Sequence, residues 1–343
     1  MKIRTVIFLQ MILSTIVFLF IAQRILNHPV KEPEPDLQKV PPPPQRQSVT
    51  LKDEAFTYHL NYSQHLAEFP FLQSYRCSHL LAPPTDPRQE EMTPLLLLAI
   101  KSHPRSTARR NALRQTWARE GMVEGYRIRP VFLMAQSDGI GYMDLVKMES
   151  EEYKDILQWD FYEDHHNLSL KERCFLEWLH MNTSNVDFIF KGDDDEFVNP
   201  AALVRYIKER GTPYVMHGAV QHHSVVMRST KYQISTALFP YPKYPNFLSG
   251  GGYLFPGPSV RHLHRASQTL PVFPLDDVYF GFLVLAANLS LRDEKRFYVW
   301  GLDFNACLYQ QALVVHRVEL EKLLKVWATV LTTVCKDNKA PIK

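Results

Sequence analysis

The sequence carries little excess charge of either sign. Its 343 residues hold 39 Lys and Arg against 36 Asp and Glu, a formal net charge of +3. That excess is too small to argue for a polyanionic partner, so no nucleic acid is expected. Cysteine is scarce too: the 4 in the chain are Cys77, Cys174, Cys307 and Cys335. They stand too far apart for a zinc clip. There is no internal repeat of useful length, the mark of repeat architectures. What remains is ordinary: 45% hydrophobic and 22% charged residues, a composition that fits a globular protein with a full core. Length alone allows one large domain or two small ones.

One segment stands apart. Val6 to Ala22 carries no charge, with Lys2 and Arg4 before it and Arg24 after it. At about 1.5 Å per residue it just spans a thin bilayer, with Ile25 and Leu26 as an extension. Phe20 to Arg24 offers no A-x-A cleavage pattern, so a retained signal anchor is expected over a cleaved signal peptide. The flanking basic charges nearly balance and do not orient the anchor. Sequons at Asn61, Asn167, Asn182 and Asn288 all lie downstream of it, which favours a lumenal body. The cysteines lie on that side as well. An even count in an oxidising compartment fits up to two disulfides, with buried free thiols as the alternative. Of the three connectivities, Cys77 with Cys174 and Cys307 with Cys335 is the expected one. Residues 27–50 then hold seven prolines, four of them consecutive at Pro41 to Pro44. Such a stretch cannot bury a core and reads as an extended stem. A polyproline-recognition ligand is the sharper reading, but the lumen is the wrong compartment for it.

Beyond the stem the pattern is α/β. Leu95 to Ile100 is a wholly apolar run of buried-strand length, ended by Ser102-His103-Pro104. Thr107 to Arg119 reads as a helix, Pro130 to Met134 as a strand and Leu170 to Met181 as a second helix. Val186 to Lys191 is a further strand, running straight into Asp193, Asp194 and Asp195. Alternating strands and helices imply a mostly parallel, layered sheet whose ligands sit at the carboxyl ends of the strands. The acidic run Lys191–Asn199 is at such an end.

Successive side chains of an extended backbone point to opposite sides, so Asp193 and Asp195 can share a face. Two hard oxygen ligands there suit Mg²⁺ or Mn²⁺ bound with a diphosphate; a solvated acidic turn is the bland alternative. Asp276-Asp277 offers a carboxylate to take a proton from an acceptor hydroxyl, or an acidic first turn on a helix from Val278 to Ala287, or both. Gly250-Gly251-Gly252 lets the backbone approach a ligand, or makes a tight turn. Arg109, Arg110 and Arg114 fall on one helix; Arg110 and Arg114 can meet phosphate or form a solvated basic face. His316 ends an apolar run, Ala312 to Val315, and becomes a metal candidate only if the fold brings it to Asp195.

Together these segments resemble the β-1,3-glycosyltransferase family, glycosyltransferase family 31. Arg110 to Trp117 looks like its R-x-x-I/L-R-x-T-W signature. Asp155-Ile156, Asp160-Phe161, Asp164 and Asn167 to Lys171 resemble its D-I-x-x-x-D-F-x-D-x-Y-x-N-L-T-x-K stretch. Lys191 to Asn199 resembles its metal-binding strand end, Gly250 to Tyr253 its G-x-G-Y loop, and Asp276 to Gly281 its E/D-D-V-x-x-G segment. The match runs from about Leu95 to His316. Leu275 to Val278, and Cys307 to Cys335 with His316, Arg317 and Trp327 between, resemble the N-acetylglucosaminyltransferase branch. His165-His166, Phe247-Leu248-Ser249 and Phe282-Leu283-Val284 depart from the family pattern.

The resemblance implies an α/β fold of GT-A type: a Rossmann-like, mixed and mostly parallel sheet flanked by helices, as a single catalytic domain behind an N-terminal membrane anchor. It divides the chain into a cytoplasmic tail (1–5), a signal-anchor transmembrane helix (6–26), a Pro-rich stem (27–60) and a lumenal GT-A domain (61–338). It further implies a Golgi type II membrane protein that uses Mn²⁺ and a UDP-sugar, UDP-GlcNAc before UDP-Gal. The product would be an inverted, β1-3-linked sugar on a galactose-terminated glycan of glycoproteins or glycolipids. Asp193 and Asp195 would form the D-x-D pair, Asp195 the more direct ligand, with His316 completing the metal site. Asp277 would be the general base. Arg110, Arg114, Asp160, Lys171, Asp193 and Asp194 would contact or position the sugar nucleotide. Assembly with copies of itself or with other Golgi transferases is compatible with this reading. Its rivals are a two-carboxylate glycosidase, which would leave the aspartate run unexplained, and a non-catalytic lumenal glycan-binding protein on the same fold.

Overall fold

An apolar run without polar alternation needs cover on both sides, and Leu95–Lys101 receives it. Leu95, Leu97 and Ala99 face one buried cluster while Leu96, Leu98 and Ile100 face another. The computed structural model describes residues 48–84, 93–139, 141–182 and 185–335. The expected tail (1–5), anchor (6–26) and the stem through 47 lie outside the described residues. Among those described, no helix is long and apolar enough to cross a membrane.

In chain order the body begins with a hairpin, β1 (Ser48–Lys52) and β2 (Thr57–Asn61), then α1 (Tyr62–Glu68), α2 (Pro70–Ser74) and β3 (His79–Leu81). There follow β4 (Leu95–Lys101), α3 (Thr107–Arg114), β5 (Gly121–Val123), β6 (Tyr126–Gln136), α4 (Tyr142–Tyr153), β7 (Ile156–Tyr162), α5 (Leu168–Asn182) and β8 (Phe188–Asp193). Next are β9 (Phe197–Val198), α6 (Pro200–Arg210), β10 (Val215–Gln221), β11 (Phe247–Pro256), α7 (Val260–Ser267) and α8 (Asp276–Ala286). The described chain ends with β12 (Ser290–Asp293), β13 (Phe297–Tyr298), α9 (Ala306–Gln311), β14 (Val314–Val315) and α10 (Leu320–Thr332).

The main sheet has 9 strands in the order β12-β10-β11-β8-β4-β6-β7-β3, with β5 paired to β6. Strands β8, β4, β6 and β7 are parallel to one another. Strand β11 runs antiparallel to β8, and β10 antiparallel to β11. This is the expected mixed, mostly parallel sheet flanked by helices, and it places the ends of β4 and β8 side by side, Lys101 opposite Asp193. A second sheet, β13-β14-β9, begins in the chain just after β8.

Two boundaries differ from expectation. Tyr58 and Leu60, inside the expected stem, are fully buried, and the Tyr58 ring packs against Phe239 and Phe282 of the body. The folded body therefore starts by Ser48 rather than at 61. The cause is a short alternation, Val49/Leu51 against Tyr58/Leu60, that gives the hairpin one apolar face. The helix expected through Arg119 stops at Arg114, and Trp117 is turned inward to donate its indole N–H to the Glu196 carbonyl at 2.8 Å. Both expected disulfides form: Cys77–Cys174 ties the segment after α2 to α5, and Cys307–Cys335 ties α9 to the chain beyond α10.

Candidate active site

Asp193 is still paired in β8, while Asp194 and Asp195 lie in the turn that follows rather than in the extended backbone the sequence suggested. Asp193 is the last residue of the strand, and Asp195 precedes β9, whose Phe197 pairs with Val315 of β14. That pairing, with the Val318 N–H bonded to the Asp195 carbonyl at 2.7 Å, brings the next residue, His316, back over the aspartates. His316 Nε2 lies 3.2 Å from Asp195 Oδ1 and 3.9 Å from Asp193 Oδ2. Its other nitrogen, Nδ1, is 3.1 Å from the Val299 carbonyl, which fixes the ring's orientation and leaves Nε2 facing the carboxylates. One ligand atom from each of the three residues lies within 4.8 Å of the others.

Asp194 turns the other way. It accepts the Ser102 hydroxyl at 2.7 Å and sits 3.8 Å from Arg109 Nε. Burial raises its proton affinity above the ordinary carboxylate value, against the pull of Ser102 and Arg109. Burial opposes ionisation of Asp195 as well, but the His316 hydrogen bond and charge overcome it and hold that carboxyl below its usual value. Behind the run, Glu196 is fully buried and neither side-chain oxygen has a hydrogen-bond partner among the described residues. Burial first, then the charge of Asp193, raises its proton affinity well above the ordinary carboxylate range.

Asp276 and Asp277 open α8, facing this group across β11. Asp277 Oδ1 accepts the Val278 N–H at 2.8 Å in the acidic first turn of the helix. Lys101, only 8% exposed, bridges the two acidic clusters: its Nζ lies 3.1 Å from Asp193 Oδ1 and 3.2 Å from Asp276 Oδ2. Burial would raise both members of the α8 pair. In Asp276 the charges of Lys101 and Lys191 outweigh burial and lower it to about 2. Asp277, buried beside that fixed negative charge, is raised to about 7. The glycines form the floor between. They lie in β11, not in a tight turn, and a Cβ built on Gly250 would meet Asp277 Cβ at 3.7 Å and Lys101 Nζ at 3.8 Å. One on Gly251 would meet the His316 ring at 3.4 Å.

The arginines stand behind the site. Arg110 is fully buried, and its guanidinium binds Glu149 at 2.6 Å, the His103 carbonyl at 2.6 Å and the Ser102 hydroxyl at 3.1 Å. Arg114 pairs with Glu149 at 2.8 Å and Asp155 at 2.7 Å. Neither has a free edge for a phosphate; Arg110 braces the loop that carries Ser102, while Arg114 is held by Asn111, Glu149 and Asp155. Lys171 pairs with Glu163 at 2.7 Å and donates to the Ser102 carbonyl at 3.4 Å. Asp160, half-buried, accepts the Tyr75 hydroxyl. Sequence reasoning missed Lys101, Ser102 and Glu149. A lysine directly after six apolar strand residues was the available signal for the first.

Comparison with known proteins gives a family. The sequence model of the galactosyltransferase family matches residues 108–295. The chain is 36% identical over 250 residues to rat UDP-GlcNAc:betaGal beta-1,3-N-acetylglucosaminyltransferase 7, covering 68% of this chain and 63% of that protein. It is 33% identical over 249 residues to human acetylgalactosaminyl-O-glycosyl-glycoprotein beta-1,3-N-acetylglucosaminyltransferase, covering 68% and 65%. Those two matches thus span just under two thirds of the relatives' own lengths. Mouse beta-1,3-galactosyltransferase 5 is 32% identical over 271 residues, covering 76% of this chain and 86% of that protein. Among solved structures, a glycosyltransferase involved in glycosylation of the major capsid of PBCV-1 overlays at a TM-score of 0.38 and 11% identity, covering 69% of this chain and 100% of that one.

Proposed function

Because the chain belongs to the galactosyltransferase family, we propose that it is an inverting glycosyltransferase that moves N-acetylglucosamine from UDP-GlcNAc, in β1-3 linkage, to a galactose-terminated glycan. The observation that carries this reading is the pairing of two groups across Gly250–Gly251: Asp193, Asp195 and His316 on one side, and a buried Asp277 on the other. Inverting transfer needs those two things, a holder for the leaving diphosphate and a base for the incoming hydroxyl.

Asp193, Asp195 and His316 would hold Mn²⁺. Two carboxylates and one imidazole, oriented from behind by the Val299 carbonyl, suit a hard divalent ion. When bound, the metal would neutralise charge gathering on the leaving nucleoside diphosphate. The chain's own groups do the rest. Asp277 takes the proton of the acceptor's 3-hydroxyl as that oxygen attacks the anomeric carbon from the face opposite the diphosphate. Lys101 keeps Asp276 ionised beside it, and that negative charge keeps Asp277 basic enough for the task. Ser102, braced by Arg110, fixes Asp194 and with it the course of the acidic run.

UDP-GlcNAc is favoured over UDP-Gal by Leu275-Asp276-Asp277-Val278 and by the names of the rat and human relatives. A galactosyltransferase is the second reading, supported by the longer match to the mouse enzyme. The body, from residue 48, would stand in the Golgi lumen on a stem and a type II anchor at 6–26. The test is transfer by the purified chain from a panel of UDP-sugars to β-galactoside acceptors, with and without chelator. UDP-GlcNAc should be the preferred donor, and chelation should stop turnover until Mn²⁺ is restored. Preference for UDP-Gal would select the second reading, and turnover indifferent to chelation would remove the metal from the first.

A further inference from the structure

The four sequons are not equivalent in the fold. Asn288 follows α8 with a positive φ of 54°. Its own N–H bonds to the Leu285 carbonyl at 3.1 Å, and the Leu289 N–H bonds to the Val284 carbonyl at 3.0 Å. These two bonds are the helix-terminating pattern in which the left-handed residue is usually glycine. Here an asparagine takes the strain instead. Its side chain is exposed, no described residue bonds its amide, and Ser290, two residues on, is exposed as well. The chain then enters β12, which pairs with β10 on one side and is the last strand of the main sheet. Exposed edge strands invite pairing with other chains, and natural proteins cover them.

Asn61 is also exposed. Its Oδ1 accepts the Gln64 N–H at 3.2 Å to cap α1, and its Nδ2 has no bond to a described residue. Because a substituted amide keeps its carbonyl oxygen, capping and modification at Asn61 are compatible. Asn167 differs on every count. Its Nδ2 donates to the Tyr162 carbonyl at 2.9 Å, and its sequon serine, Ser169, is fully buried at the start of α5. It also sits in the turn between Glu163 and Lys171, whose ion pair supports the active-site loop.

We infer that Asn288 and Asn61 carry N-linked glycans, that Asn167 does not, and that the Asn288 glycan shields the β12 edge. This rests on the lumenal placement proposed above. The donor is a lipid-diphosphate-linked oligosaccharide. The Asn Nδ2 forms a bond to C1 of the first sugar as the C1–O bond to phosphate breaks, its electron pair leaving with the lipid diphosphate and one amide proton passing to a base of the transferring enzyme.

The test is expression of the full chain in a secretory cell, keeping one sequon at a time by Asn→Gln changes at the other three. Treatment with a glycan-releasing amidase should lower the apparent mass of the chains that keep Asn288 or Asn61, and leave unchanged the chain that keeps Asn167. Ser290→Ala in the otherwise unaltered protein removes the Asn288 sequon without touching the left-handed turn, and should cost one glycan. Parent-like mobility of Ser290→Ala, or a mass shift in the Asn167 chain, overturns the assignment. A sequon in a C-terminal tag on a chain with all four Asn→Gln changes separates the two claims. Tag modified but Asn288 bare sinks the site alone; tag bare sinks the lumenal placement and the inference with it.

Discussion

Asp277 is buried beside a second carboxylate, and both conditions oppose its ionisation until about pH 7. A base works from its deprotonated form, so kcat/KM should climb with pH through that region and level off above it. Lys101 lies 3.2 Å from the neighbouring Asp276 and its charge lowers both carboxyls. Lys101→Met should therefore move the acid limb of the pH–rate profile upward as well as reduce turnover; an unmoved limb would mean that Lys101 does not tune the base. Asp277→Asn should lower transfer by about 10²–10⁴-fold, the usual contribution of general base catalysis. Calorimetry should find its UDP affinity with Mn²⁺ close to the parent's. At this scale the sequence was partly legible. Asp193, Asp195 and Asp277 announce themselves because carboxylates next to apolar strands and helices need a reason to be there. Lys101 did not, since a lysine at the end of a strand equally marks where water begins. Arg110 and Arg114 were legible as a pair but not as an ion-paired one: Glu149 and Asp155, which neutralise them, lie about forty residues away on another helix and the loop after it.

At the scale of elements, the end of β8 leaves almost no room around Gly192. A Cβ on Gly192 would lie 2.2 Å from Glu196 Oε2 and 2.7 Å from Phe190 Cζ. Gly192→Ala should therefore force the Glu196 side chain aside and destabilise the protein by about 1–3 kcal/mol, the cost of overpacking a filled core. Denaturant unfolding reads this as a lower midpoint at an unchanged slope, and a midpoint equal to the parent's would show that the carboxyl relocates freely. Strands β4, β6 and β8 were visible in the sequence because each contains an uninterrupted apolar run. The β1–β2 hairpin was not, because its alternation is five residues long on each side and follows directly on a proline-rich stretch. Strand β14, only two residues long, had no periodicity to read; its placement comes from pairing with β9.

For the molecule as a whole, the Cys77–Cys174 bridge closes a loop of 97 residues and fastens the segment after α2 to the helix that starts from the active-site turn. Loops of that size give the larger entropic restraints on an unfolded chain. The double change Cys77→Ser and Cys174→Ser should lower unfolding free energy by about 2–5 kcal/mol, measured by denaturant titration, and stability equal to the parent's would mean that the bridge acts locally. The α/β class and the order of motifs could be read in the sequence at this scale. The division of the core into two clusters on the faces of one sheet could not, because it depends on the pairing order of strands far apart in the chain.

The small sheet β13-β14-β9 joins Phe197 to Val315 and so hands His316 to Asp195 across some 120 residues. A ribosome delivers this chain from its N-terminus, and the main sheet is complete once β12 has emerged. His316 arrives later still. The molecule is thus assembled as a scaffold first and gathers its acidic cluster last, so a chain paused in synthesis between residues 294 and 313 would carry Asp193 and Asp195 without the histidine that the fold sets against them.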